Sequence, residues 1–196
     1  MEKKKFFSAK NVTTLGVLLA LVIVMQTFGG AISFGAVTLN FTLIPIVLGA
    51  IVLGPLAGTL LGLACGIVVL IQVIIAPSGF YALIWLNDPV VTMLTCLVKT
   101  TLAGYVAGWI FKLLKSKNQV VAVFVASGIV PVINTALFIV GCLFMTSVHQ
   151  SASGNVLVYI LVSLVTFNFF FEFAVNLLVA PALHTVYKVV EKRIVK

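Results

Sequence analysis

Apolar residues run through this chain in long stretches, broken by short segments of Gly, Pro, Asn, Ser or charge. A helix crossing ~30 Å of hydrocarbon needs ~20 predominantly apolar residues. The pattern predicts six such spans, at about 11–28, 39–53, 56–75, 88–114, 119–147 and 155–187. The breaks are chemically distinct. Gly54-Pro55 separates the second and third spans, and Lys115-Ser116-Lys117-Asn118 forms a polar turn between the fourth and fifth. Asp88-Pro89 opens the fourth span as an N-cap followed by proline at the first helical position. Gly29–Thr38, Ala76–Asn87 and His149–Gly154 are expected as connecting loops. The fold class is therefore an all-α membrane protein of six transmembrane helices, with residues 1–196 forming a single integral membrane domain.

Composition agrees. Of the 196 residues, 62% are hydrophobic and 8% charged, against about 25% charged in soluble domains. A solvated globular surface, a disordered chain and a disulfide scaffold are all excluded. The net charge of +8 has the sign of a nucleic-acid binder, but its distribution says otherwise. Lys3, Lys4, Lys5 and Lys10 precede the first span. Lys112, Lys115 and Lys117 flank the turn after the fourth, and Lys188, Lys192, Arg193 and Lys196 follow the sixth. With an even number of spans all these clusters fall on one side, so the positive-inside rule puts both the N- and C-termini in the cytoplasm. The basic start and first apolar run resemble a signal peptide, but further spans follow without a small-residue cleavage site, so this run is expected to be retained. Trp85 and Tyr81 then belong to the outer interface and Trp109 to the inner one.

Much chemistry is missing. Cys65, Cys96 and Cys142 lie inside apolar runs without C-x-x-C or metal-ligand spacing. His149 and His184 are isolated. There is no Walker A sequence, no G-x-S-x-G and no nucleophile–base pair at helical spacing. No enzyme activity, metal or cofactor is expected, nor a nucleic-acid partner. No internal repeat is visible, which counts against an inverted-repeat carrier.

Intramembrane charges are functional candidates because they are costly in hydrocarbon. There are two, Lys99 and Glu172. Lys99 lies ~16 Å along a helix from Asp88, and Asp88, Thr92, Thr95 and Lys99 fall on one face. That stripe suits one wall of a cavity open to the outside. Asn168, Glu172 and Asn176 form a second stripe on the sixth span. Measured from the basic clusters, Lys99 and Glu172 stand ~20 and ~24 Å up their helices, so their depths match. They either pair with each other or face a ligand, and a water-filled cavity between them would reconcile the two. Asn134, one turn after Pro131, either satisfies carbonyls freed by the proline or faces the ligand. Phe28, Phe34, Phe80, Tyr81 and Trp85 lie in or beside the outer loops, as interface anchors or as an aromatic lid. Gly54, Gly58, Gly62 and Gly66 recur on the third span, and Gly104 and Gly108 on the fourth, as helix-packing faces. Gly16 and Ala20 make a further small-residue pair on the first.

The segment from Asn40 to Gly58, with Pro45, Gly49 and Gly54-Pro55-Leu56-Ala57-Gly58 across a tight turn, resembles the second and third helices of S components. These are the substrate-binding membrane subunits of energy-coupling factor (ECF) vitamin transporters. The run Phe167-Asn168-Phe169-Phe170-Phe171-Glu172-Phe173-Ala174-Val175-Asn176 through Pro181 is similar to the last helix of that family. The resemblance covers nearly the whole chain. It implies an S-component bundle in the bacterial plasma membrane that binds a vitamin or related micronutrient from outside, with loops closing over it. It also implies docking on a membrane T component that carries two ATPase subunits. In the family the T component meets a small-residue face of the first helix. Gly16 and Ala20 match that face, the glycine standing where alanine is usual.

Within the family's substrates, a lone lysine on an outward cavity wall favours an anion, because a desolvated carboxylate needs a positive partner. Pantothenate is the first expectation, riboflavin the second. Its carboxylate would meet Lys99, its hydroxyls and amide Thr92, Thr95, Asn134 or Asn168, with Glu172, Trp85 and Phe34 completing the expected site. The rival functions are a stand-alone secondary carrier and a membrane assembly factor.

Overall fold

The computed structural model describes residues 8–29, 33–34, 37–38, 41–77, 79–152 and 154–194. Among them, nine helices make up nearly all the regular structure: α1 (Ala9–Gly29), α2 (Leu43–Val52), α3 (Pro55–Ile75), α4 (Gly79–Asn87), α5 (Pro89–Leu114), α6 (Gln119–Leu143), α7 (Thr146–Ser151), α8 (Val156–Tyr159) and α9 (Thr166–Ile194). A π-helical stretch, Ile160–Val165, joins α8 to α9. The connector after α1 contains a hairpin of two-residue strands, β1 (Ser33–Phe34) and β2 (Val37–Thr38), paired antiparallel. Five helices, α1, α3, α5, α6 and α9, are long and apolar enough to cross a membrane. The expected six-span bundle is thus present as five full-length helices and a shorter sixth.

That shorter helix is α2. Its ten residues reach only ~15 Å, yet seven of them are buried, so α2 sits inside the bundle against α1, α3, α5, α6 and α9. The second apolar run is therefore a helix, shorter than the span expected at about 39–53. Two expected loops also contain helix. Residues 79–87 are too few to cross but apolar enough to fold as α4 against the end of the bundle where α5 begins. The fifth span ends at Leu143, and the residues after it form the separate helix α7.

The α2–α3 turn requires Gly54, whose φ of 101° is strained for any residue with a Cβ. Pro55 follows at the start of α3, where its missing N–H costs no helical bond. The most intimate contact is between α3 and α5. A Cβ on Gly58 would run into the Gly104 carbonyl, and one on Gly104 into the Gly58 carbonyl. The glycine faces on these two helices thus pack against each other, bringing the backbones close enough for Thr100 Oγ1 to donate to Gly62 O at 2.7 Å. At the basic end, Asn118 caps α6 by accepting from Val120 N and Val121 N. Tyr187 donates to Glu191 at 2.7 Å, and its ring meets Phe111 edge-on.

Candidate functional site

Lys99 stands in the middle of α5 and is 9% exposed. Its Nζ is 3.5 Å from Tyr81 Oη of α4 and 5.2 Å from the centroid of the Phe138 ring on α6. Phe138 and Asn134 are one turn apart, so α6 presents a ring and an amide to the same region. Among the described residues, no carboxylate lies within the 4.0 Å of an ion pair. A phenol and a ring face are weak partners for a desolvated ammonium, which ordinarily needs an anion to offset its lost hydration.

Glu172 is buried on α9. The Asn134 side chain lies beside its carboxylate, and Asn176 Nδ2 donates to its backbone carbonyl at 2.8 Å. Lys99 and Glu172 attract each other electrostatically without direct contact. Cys65 of α3 lies in the field of both. Of the two alternatives left open by the sequence, the closed ion pair is not formed. Asn134 turns toward Glu172, and its Oδ1, like that of Asn176, is buried without a partner.

The other expected positions are distributed around this centre. Thr92 is buried and donates to Ile84 O at 3.0 Å, fastening α5 to α4. Thr95 donates to Val91 O within its own helix and packs against Gly141 of α6. Asn168 lies one turn before Glu172 on α9, partly buried. Trp85 is partly buried against the main core. Phe34 falls in β1, with its side chain outside the described part.

The N-cap reading of Asp88 needs correction. It occupies the N-cap position of α5 but makes no side-chain cap bond to that helix. Its carboxylate instead accepts from Thr146 N (3.1 Å), Ser147 N (2.9 Å) and Ser147 Oγ (2.5 Å) at the start of α7. The Ser147 hydroxyl bond, helped by the two backbone N–H groups, holds the Asp88 carboxyl below its ordinary value against the opposing effect of burial.

A second polar cluster lies where α1, α2 and α3 meet. Gln26 Nε2 donates to Gln72 Oε1 at 3.1 Å, Gln72 Nε2 to Gln26 O at 3.2 Å, and Thr42 Oγ1 to Gln26 Oε1 at 3.0 Å. Sequence reasoning missed Gln26. A glutamine deep in the first apolar run was the available signal, since an amide in hydrocarbon needs partners. Tyr81 and Phe138, the two groups against Lys99, were not marked as its partners. Their assignment depends on how α4 and α6 approach α5, which no local pattern encodes. Gly16 and Ala20 face outward on α1, and a Cβ on Gly16 would meet nothing within 4 Å.

Comparison with curated proteins finds no match. A family model described as "ECF transporter, substrate-specific component" matches residues 10–184. With nearly its whole length matched and its apolar helices bundled as described, the chain belongs to the family of ECF transporter substrate-specific components: multi-pass membrane transport proteins, not enzymes, that take a small-molecule substrate and work with ECF T and ATPase subunits.

Proposed function

We propose that this protein captures an anionic vitamin, pantothenate first, from outside a bacterial plasma membrane and hands it on by ATP-driven uptake. The observation that carries this reading is Lys99, a buried ammonium with a phenol and a ring face beside it and, among the described residues, no carboxylate within ion-pair distance. A ligand carboxylate supplies the missing countercharge. Both termini are cytoplasmic in this reading, because an even number of spans puts every basic cluster of the sequence on one side, which the positive-inside rule makes the cytoplasm. The opposite end, where α4 and α7 lie, is then the entrance. The exposed Gly16–Ala20 face of α1 serves as the docking surface for the T component.

Riboflavin is the second reading, favoured by the aromatic groups on the entrance side of Lys99. Phe80 meets Tyr81 and Phe138 edge-on at 6.4 and 6.1 Å, and such a cluster suits a flat ring. The deciding experiment is mass spectrometry of small molecules that copurify with the detergent-solubilised chain, followed by equilibrium binding of the two vitamins. Pantothenate is expected in the extract and in the tighter complex. Riboflavin in its place selects the second reading, and neither vitamin in either assay sinks both.

A further inference from the structure

The acceptor groups around Glu172 restrict the ligand in a way that Lys99 does not. Asn176 Nδ2 points at a backbone carbonyl, which only accepts, so the atom placed there must be the nitrogen. The Asn134 side chain lies beside the Glu172 carboxylate. Both amides thus gather around one residue, and each has a carbonyl oxygen buried and unpartnered. Glu172, Asn134 and Asn176 are 8%, 7% and 1% exposed. Together they make a surface that still has lone pairs to fill, in a place where an unfilled acceptor is expensive. Lys99 does not fill them, since its Nζ is beyond ion-pair distance of Glu172 and lies against Tyr81 and Phe138 instead.

We propose that the site reads a two-poled ligand: an anionic group at Lys99 and Tyr81, and hydroxyl or N–H donors at an acceptor face made by Glu172, Asn134 and Asn176. The proposal rests on the anionic-ligand reading above and adds the second pole. It makes Glu172 a specificity determinant that rejects anions lacking donors. A simple carboxylic acid of the right size satisfies Lys99 and leaves the acceptor face empty. A molecule with hydroxyls but no acid does the reverse. A site built to hydrogen-bond a donor discriminates against analogues without it because its own buried groups are then unpaired.

The test is equilibrium binding to the full chain in lipid nanodiscs with three probes. Pantothenate carries a carboxylate and hydroxyls, panthenol carries the hydroxyls without the acid, and N-butanoyl-β-alanine carries the acid and amide without the hydroxyls. Each partial probe is expected to bind at least about tenfold more weakly than pantothenate. Lys99→Met is expected to erase the preference over panthenol and keep that over N-butanoyl-β-alanine. Glu172→Gln is expected to erase the second preference and keep the first, and Asn176→Leu reports on the same pole if Glu172→Gln does not fold. A purely structural role for Glu172 lowers affinity for all three probes together and leaves the ratios unchanged, which overturns the proposal.

Equal binding of N-butanoyl-β-alanine and pantothenate to the unaltered protein also overturns the donor pole, while the anionic-vitamin reading stands. Equal binding of panthenol overturns the anionic pole. If none of the three binds, the pantothenate reading falls, and the molecule extracted from the purified protein decides the two-pole proposal. An anionic group together with at least two hydrogens exchangeable in deuterium oxide upholds it. A molecule lacking either feature, or a protein that carries none, overturns it.

Discussion

Asp88 and Ser147, 59 residues apart in sequence, are joined by two hydrogen bonds to one carboxylate oxygen: Ser147 N at 2.9 Å and Ser147 Oγ at 2.5 Å. Thr146 N binds the other oxygen at 3.1 Å. A carboxylate at the head of α5 thus caps α7, the helix that follows α6. The result is a latch across the end of the bundle closest to Tyr81 and the Lys99 ammonium. Removing a cap of this kind costs about 1 kcal/mol. Asp88→Ala is expected to raise amide hydrogen exchange in residues 146–151 while leaving α3 and α5 protected. Unchanged exchange there means the latch does not hold α7.

The same bonds give the latch a pH dependence. Its folded carboxyl lies below its ordinary value, so the unfolded or unlatched state binds the proton more readily. The contribution to stability is therefore full above the ordinary aspartate value near ~3.9. It is lost as pH falls through the lower, folded value. Protection of residues 146–151, taken relative to intrinsic amide exchange at each pH, is expected to be flat from neutral pH down to about pH 4 and to fall below it. Asp88→Asn removes that fall.

Lys99→Met deletes the buried ammonium in a helix that tolerates methionine. Loss of one partner of a buried charged contact costs ~3–5 kcal/mol, a factor of hundreds or more in ligand affinity. Because Glu172 is not in direct contact with Lys99, the fold is expected to survive in the single variant. Affinity is expected to stay lost in the double variant Lys99→Met with Glu172→Gln. Both are checked by equilibrium binding alongside thermal unfolding in detergent. Recovery of affinity in the double variant would mean that Lys99 serves only to balance Glu172.

Two glycine positions are expected to respond in opposite ways. A Cβ on Gly62 would enter the Thr100 carbonyl across the α3–α5 contact, so Gly62→Ala should destabilise the protein by about 1–3 kcal/mol, read as a lowered melting temperature. Gly16 has open space beside it, so Gly16→Leu should melt normally and bind ligand normally. It should abolish uptake in cells that supply the T and ATPase subunits. Normal uptake by Gly16→Leu and Ala20→Leu removes α1 as the docking face.

Orientation is checked by cysteine labelling. Cys65, Cys96 and Cys142 are buried, so the native background is expected to be silent. Gln150→Cys, at the end of the bundle bearing α7, should react with an impermeant reagent in intact cells, and Ser116→Cys should not. Labelling at Ser116 from outside would invert the topology.

The amino-acid order alone determined the membrane class, the helical bundle and its punctuation. Those properties follow from apolar run length, from Pro and Gly backbone limits and from where charge is affordable. Lys99, Asn134 and Glu172 were also legible, because a polar or charged group inside an apolar run stands out whatever surrounds it. The fate of each such group was decided only in three dimensions. Asp88 has the local chemistry of a cap for its own helix, yet it caps α7, because the approach of two chain ends brings Thr146 and Ser147 within reach. Glu172 was readable as a partner for Lys99, yet the two do not close into an ion pair, since the distance between helices is set by packing rather than by depth along each one. The apolar run at 39–53 has the composition of a span, yet its helix is only ten residues long. Tertiary burial against five neighbours covers the apolar surface of so short a helix. Local sequence records which groups need partners, and only the assembled helices determine which partners they meet.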